Sequence, residues 1–370
     1  MEQRLFDIVV IGAGVIGHSI AFRLKRINPE LRLAILGDPV NSLMASRAAA
    51  GMLAPFAECG KADRFFRFCR ESLEKYPRFI EELVSVSGVS LHLSMTGSLM
   101  PSASYGEDWE ERVRFFREEN VPHELWSPER RREKVPALAD SCGEVMWAGE
   151  GQVNNREMHD ALAAASRKLG IEVLEKNATG FIHDASSVEA AVTDAGEVRG
   201  QKFVLASGSW SLQLASILGV SLPLKPIKGQ MCRLQVDDDL LDYTVHGMLT
   251  YIVPWRGGNG IVLGSTMEDR GFDPLIEEEA IRNLIDRAAA VMPCLEDAPL
   301  IESWTGFRPA AEDLMPIMGK SSRYANLYYS TGHHRNGILQ TPHQADYIAE
   351  TILETLGEEI PEFSPSRYNL

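Results

Sequence analysis

The hydropathy pattern opens on an unbroken β-branched run at residues 8–11, which predicts a strand buried on both faces. A helix is expected over 15–25 and a second strand over 31–36. Between 62 and 85 the apolar residues Phe65, Cys69, Leu73, Tyr76, Ile80 and Leu83 recur at three- and four-residue steps, the signature of an amphipathic helix with its aromatics in the core. A polar helix rich in Glu and Arg follows over 108–120, and another over 155–169, with a capping-type Asn at its start and Gly170 beyond its end. Short strands are predicted at 171–174, 179–183, 188–192 and 202–205. Beyond Pro223 the pattern changes to spaced strands at 229–236, 249–254 and 261–265, the last after a glycine-rich turn at 257–260. A helix over 276–291, a strand over 300–307 that delivers Arg308, a strand over 326–330, a polar turn over 331–337 and a closing helix over 344–356 complete the chain.

Gly12, Gly14 and Gly17 sit between the first strand and the first helix at G-x-G-x-x-G spacing. In such a turn the first glycine permits the tight bend, the second admits a pyrophosphate to the backbone, and the third lets the helix pack against the strand. The helix N-terminus adds N–H donors and partial positive charge for a diphosphate. The second strand ends about twenty residues later, where a ribose-binding acid is expected. Here that place is taken by Gly37, with the acid displaced to Asp38. The run from Ala45 to Pro55 is made of small residues, a composition that fits backbone lying against a flat ligand and a tightly packed helix start equally well. Small residues after the 202–205 strand, through Gly208, again suggest backbone facing a cofactor.

At 370 residues the chain suffices for two domains, and 45% hydrophobic with 24% charged residues is ordinary globular composition. A net charge of -15 argues against a nucleic-acid partner, and the sole basic run, Arg130-Arg131-Arg132, reads as a solvated helix face. The first apolar segment is too short and too glycine-broken to span a bilayer, and no basic leader precedes it, so a soluble cytoplasmic protein without a membrane partner is expected. Five cysteines without C-x-x-C spacing read as buried free thiols, with neither a disulfide framework nor a zinc site. The adjacent His333 and His334 lack a carboxylate at ligand spacing, so no metal is assigned.

Four separated stretches, taken in order, resemble the flavin-dependent amine oxidases of the D-amino-acid oxidase superfamily, and within it the glycine oxidase branch. They are Gly12 to Gly17, Ser46 to Leu53 with Glu58-Cys59 beyond, Tyr251 to Pro254 through Gly264 to Met267, and Gly306 to Pro309 with Gly332 to Leu339. The resemblance spans nearly the whole chain. It implies an α/β (α+β) fold, with a Rossmann-like FAD-binding domain from 1–85, 145–220 and 320–370 and a mostly antiparallel substrate domain from 86–144 and 221–319. It also implies non-covalent FAD, since the flavin-linking cysteine of related sarcosine oxidases has no counterpart near Arg308. The diphosphate would lie at Val15 and Ile16, the ribose near Gly37 and Asp38, and the adenine at the backbone of Thr179. The isoalloxazine would be held by Ala45, Ser46, Ala50, Gly51 and Met52 and by His333, His334, Arg335, Asn336, Gly337, Ile338 and Leu339.

Flavin performs the redox chemistry in such enzymes, so the protein must hold an amino acid with its Cα–H toward the ring. Arg308 could clamp the substrate carboxylate bidentately, with Tyr251 adding a phenolic hydrogen bond and Arg335 assisting. Taken by themselves, an Arg near a strand end is more often exposed or paired, here with Asp313, and a Tyr before Ile-Val-Pro is more often core. Ala54 with Pro55 is expected at the pocket entrance, and Met52 and Met267 on its inner wall. Glycine and N-substituted glycines such as sarcosine are the expected substrates, with O2 as acceptor and H2O2 as product. A general D-amino-acid oxidase or dehydrogenase and an oxidase of a larger N-carboxymethyl amine in a biosynthetic pathway remain alternatives, and use of the product for thiamine synthesis is open, as is homo-oligomerisation. A nicotinamide dehydrogenase would explain only the first stretch, the acidic charge weighs against a tRNA-modifying flavoenzyme, and a non-catalytic flavin-binding protein would have no use for Tyr251, Arg308 and Arg335 together.

Overall fold

The computed structural model describes residues 5–247, 249–255 and 260–370. The expected turn at 257–260 falls mostly outside the described residues. The first strand, Leu5–Ile11, lies between two parallel neighbours, Leu33–Leu36 and Gly196–Leu205, which is why its residues from Ile8 onward are uniformly apolar. Glu172–Leu174 and Leu327–Thr331 extend this parallel core on its two sides. The hairpin Ala178–His183 and Val188–Thr193 pairs with the early part of Gly196–Leu205, and Ile317–Lys320 pairs with Leu327–Thr331. The helices Val15–Ile27, Arg64–Ser87, Asn155–Lys168 and Gly337–Leu353 pack on and beside this sheet. Among the described residues, no helix is long and apolar enough to cross a membrane.

The turn after Leu5–Ile11 is the tightest constraint. Gly12 has φ of 130°, and a Cβ there would lie 2.3 Å from the carbonyl oxygen of Ala206, while a Cβ at Gly17 would lie 1.9 Å from that of Gly12. The strand end, the turn and the helix therefore touch backbone to backbone.

A second sheet of mixed direction carries Leu300–Ala311 at one edge, then Leu224–Gln235, Gly260–Gly264, Thr250–Trp255, Thr244–Gly247, Ser98–Pro101, Val145–Ala148 and His123–Trp126. Every pairing is antiparallel except that of Thr244–Gly247 with Ser98–Pro101. Helix Glu278–Val291 closes one face of it, burying Ile281, Leu284 and Ala288 in one core with Ile252 and Leu263 of the sheet. A small third sheet, Met52–Leu53, Gly151–Val153 and Leu93–Ser94, connects the two units.

Several expectations are corrected. Val145–Ala148 belongs to the second sheet, because the chain completes that antiparallel layer before crossing at Gly151, and Ile317–Lys320 already belongs to the first. Leu300–Ala311 runs through Arg308 instead of ending before it. As an edge strand it tolerates Pro309, which stands opposite Pro226. The closing helix starts at Gly337, seven residues early, and carries Pro342 inside it; the Ile338 carbonyl, which loses its intrahelical donor there, accepts the Tyr76 hydroxyl instead. Asn154, not Asn155, caps its helix, accepting from the Arg156 and Glu157 amides. Cys294 is exposed, whereas Cys59, Cys69, Cys142 and Cys232 are buried and free.

The basic run is corrected as well. Arg131, on helix Pro128–Lys134, is fully buried and donates to the carbonyls of Leu138 and Ala139 and to the Asp140 carboxylate, while Arg130 and Arg132 stay exposed. Arg131→Ala strands the Leu138 and Ala139 carbonyls and opens a cavity, so it should lower unfolding free energy by about 2 to 4 kcal/mol. Arg132→Ala should leave the urea midpoint nearly unmoved. Equal midpoints in the two variants would disprove the buried role.

Candidate active site

One cavity runs along the seam between the sheets. Its walls bring together Gly12 to Ile16, Gly37 and Asp38, Ala45, Ser46 and Ala48 to Met52, Ser207 and Gly208, Tyr251, Ser265, Arg308 and His333 to Arg335 with Gly337 and Ile338. Two helices begin on it. Val15–Ile27 has no side-chain cap and no acid in its first turn, and Gly337–Leu353 has neither as well. Their N-terminal amides supply positive potential at two places along one cavity. The Val15 amide is engaged at 3.1 Å by Ser46 Oγ.

The small-residue run is held from behind. Trp255 and Trp304 donate their indole N–H groups to the Ala50 and Ala48 carbonyls at 3.0 and 2.9 Å. Asn155 Nδ2 reaches the Ser46 carbonyl at 2.7 Å. The Arg156 guanidinium sits 5.0 Å from the Trp255 ring centroid and 4.7 Å from that of Trp304, and pairs with Glu302 at 3.0 Å. Side chains from the second sheet and one helix thus fix the backbone of Ser46 to Ala50, leaving Ala45, Ser46, Ala48, Ala49 and Ala50 on the cavity wall.

At the other end stand the charged groups. Arg308 donates to Ser265 Oγ and, at 3.3 Å, to the Thr266 carbonyl. Gly229 is bare beside it: a Cβ there would lie 2.0 Å from Arg308 Nη1. Burial holds the Arg308 guanidinium below its ordinary value and Arg335 adds to this, against the pull of Tyr251 and Glu58. An arginine stays protonated regardless. The Tyr251 hydroxyl lies 3.7 Å from Met231 Sδ. Arg335 pairs with Glu58, which also lines the cavity. Burial pushes His333 and His334 down to about 4, with Arg308 and Arg335 adding to the effect at His334, so both are neutral near pH 7.

A family model described as FAD dependent oxidoreductase matches residues 7–351. The chain belongs to this family of FAD-dependent oxidoreductases. It is 30% identical to glycine oxidase of Geobacillus kaustophilus over 94% of this chain and 93% of that one. A crystal structure of glycine oxidase from the same organism superposes with a TM-score of 0.90 at 29% identity, covering 98% of each chain. The chain is also 33% identical to the bifunctional protein ThiO/ThiG of Trichormus variabilis, but spans only 55% of that protein's length.

The cavity fits the family's cofactor. The close turn at Gly12 and Gly14, the uncapped helix start at Val15 and the strand end at Gly37 and Asp38 suit a dinucleotide, and the immobilised run from Ala45 to Ala50 gives a flat flank for a ring system. Among the described lining residues there is no cysteine. Asp38 is partly engaged, its Oδ1 accepting the Val40 amide at 2.9 Å.

Six of the expected site residues do not line this cavity. Gly17 is spent on the backbone contact with Gly12. Thr179 is exposed, and its neighbours Asn177 and Ala178 line the wall in its stead. Asn336 precedes the helix that Gly337 begins, and Leu339 points into the core. Ala54 is buried in the core, and Met267 is 55% exposed outside the cavity; the methionine beside Tyr251 is Met231. Sequence reasoning also passed over Glu58, Trp255, Trp304, Asn155 and Arg156. Of these only Glu58 carried a signal, as part of the family-like stretch after Leu53.

Trp304→Phe keeps the ring and removes the indole donor, leaving the Ala48 carbonyl without that partner. Apoprotein of this variant should bind FAD about 3- to 10-fold more weakly, read by quenching of flavin fluorescence. Unchanged affinity would mean that the carbonyl contact does not hold the wall.

Proposed function

We propose that this chain oxidises glycine and N-substituted glycines such as sarcosine, with Arg308, Tyr251 and Arg335 holding the substrate. The observation that carries the reading is one wall with two guanidinium groups against a single carboxylate, Glu58, next to a tyrosine hydroxyl. That leaves one positive charge for one substrate carboxylate. Arg308 is already oriented by Ser265 and Thr266, so little side-chain entropy is lost when its remaining donors take up the carboxylate. Neutral His333 and His334 add no competing cation.

FAD held along this cavity would supply the hydride acceptor and the route of the electrons to O2, with H2O2 as product. Tyr251 and Arg308 fix the carboxylate end, so the Cα–H is directed by where that end is anchored. Among the described residues no carboxylate other than Glu58 and Asp38 lines the cavity, and an amine that enters neutral requires no enzymatic base. The imine product takes up water to give glyoxylate and the free amine, which is ammonia from glycine and methylamine from sarcosine. For glycine the balance is glycine, O2 and H2O to glyoxylate, NH3 and H2O2.

Met52, Met231 and Tyr251 form the inner wall, and Met231 takes the place expected for Met267. Thioethers adapt to shape but leave little room for a Cα substituent, whereas an N-substituent can extend along the seam. Oxidation of glycine, sarcosine, a long-chain N-alkylglycine and D-phenylalanine, followed by peroxide formation, tests the assignment. The first three should be preferred. If D-phenylalanine has the highest kcat/KM, a general D-amino-acid oxidase is the better reading.

Arg308→Ala should lose about 2 to 5 kcal/mol in kcat/KM for glycine while FAD content stays the same, because the residue belongs to the second sheet and not to the diphosphate turn. Wild-type kinetics in that variant would remove Arg308 from substrate binding.

A further inference from the structure

Glu150 is a charged residue with no surface and no place on the cavity wall. It lies between Val145–Ala148 of the second sheet and Gly151–Val153 of the connecting sheet. One carboxylate oxygen accepts the Phe56 and Ala57 amides at 2.5 and 2.8 Å, and the other accepts the Ser98 hydroxyl. The two amides open the short helix Pro55–Glu58, whose last residue is the partner of Arg335. From the far end Arg112 donates to the carbonyls of Phe56, Ala57 and Cys59.

We propose that Glu150 is a positioning residue for the substrate end of the cavity: it anchors the Pro55–Glu58 helix to the second sheet, and through it sets Glu58 against Arg335. A buried carboxylate is costly unless fully hydrogen-bonded, and a leucine or methionine would fill the space without that cost. What an apolar residue cannot do is tie two amides of the cavity-side helix to a hydroxyl of the substrate sheet. Burial lifts the Glu150 carboxyl to about 7, so assays above that pH hold it in the ionised, accepting form.

The inference rests on the proposed substrate end, and the test separates the two. Glu150→Gln, Glu58→Gln and the double variant are compared in glycine kcat/KM and in acetate binding, read from the flavin absorbance spectrum without turnover. Glu150→Gln should shift both quantities in the same direction as Glu58→Gln, by about 3- to 10-fold, with kcat at saturation and FAD content little changed. In the Glu58→Gln background it should add nothing further. Additive effects, or no effect of Glu150→Gln alone, would overturn the inference. If wild-type protein yields no peroxide from glycine, the functional reading falls and the acetate cycle still decides this one. Should Glu150→Gln not retain FAD, Ser98→Ala removes a single hydrogen bond to the same carboxylate. It must then show the same direction, smaller in size, and the same loss of effect beside Glu58→Gln.

Discussion

The site depends on a short piece of backbone, Ser46 to Ala50, being held still by groups that never enter the cavity. Its three alanines have no side chains with which to fix themselves, and a loop exposed to a cavity would ordinarily satisfy its carbonyls with water. Here the Ser46, Ala48 and Ala50 carbonyls are taken by Asn155, Trp304 and Trp255. The tryptophans come from two strands of the second sheet, and stack with each other at 6.0 Å about the Arg156 guanidinium. Two of the three carbonyls of this wall are thus held by the second sheet and one by a helix beside the first, and neither sheet completes the cavity alone.

That dependence explains which parts were legible in sequence. The turn from Gly12 to Gly17 is local: strand, glycine spacing and helix lie within a few residues, so the pattern itself states the geometry. Strands buried on both faces announce themselves by continuous apolar runs, as Leu33–Leu36 does. Arg131 could not be read this way, because its neighbours Arg130 and Arg132 are exposed and its acceptors come from a loop that closes seven to nine residues later. The indole contacts span over two hundred residues of chain, and nothing local to Trp255 or Trp304 shows that the indole N–H will reach a distant carbonyl.

The expected pocket residues divide along the same line. Met52 is on the cavity wall because the small-residue run places it there. Ala54 and Met267 were placed by position alone, and each is displaced by a local event: Ala54 precedes a helix that turns it into the core, and Met267 follows the strand Gly260–Gly264 after it has left the sheet. The methionine that does face Tyr251 is Met231, whose strand pairs with Gly264 across the sheet. Register therefore decides the lining, and register is fixed by pairings far apart in the chain.

Charge is organised on the same principle of distant support. Of the two guanidinium groups on the cavity wall, Arg308 is oriented by a hydroxyl and a carbonyl and keeps its charge uncompensated, while Arg335 is matched by Glu58. A second free guanidinium would attract any dianion, and a second carboxylate would repel every substrate that carries one. On the proposed function, two cations against one anion suit a monocarboxylate, and the Pro55–Glu58 helix holds that one anion in place. Pro55 begins that helix without wasting an amide. The segment is short and tied down by Glu150 at its amides and by Arg112 at its carbonyls, which places a single carboxylate directly against a guanidinium on the same wall of the cavity.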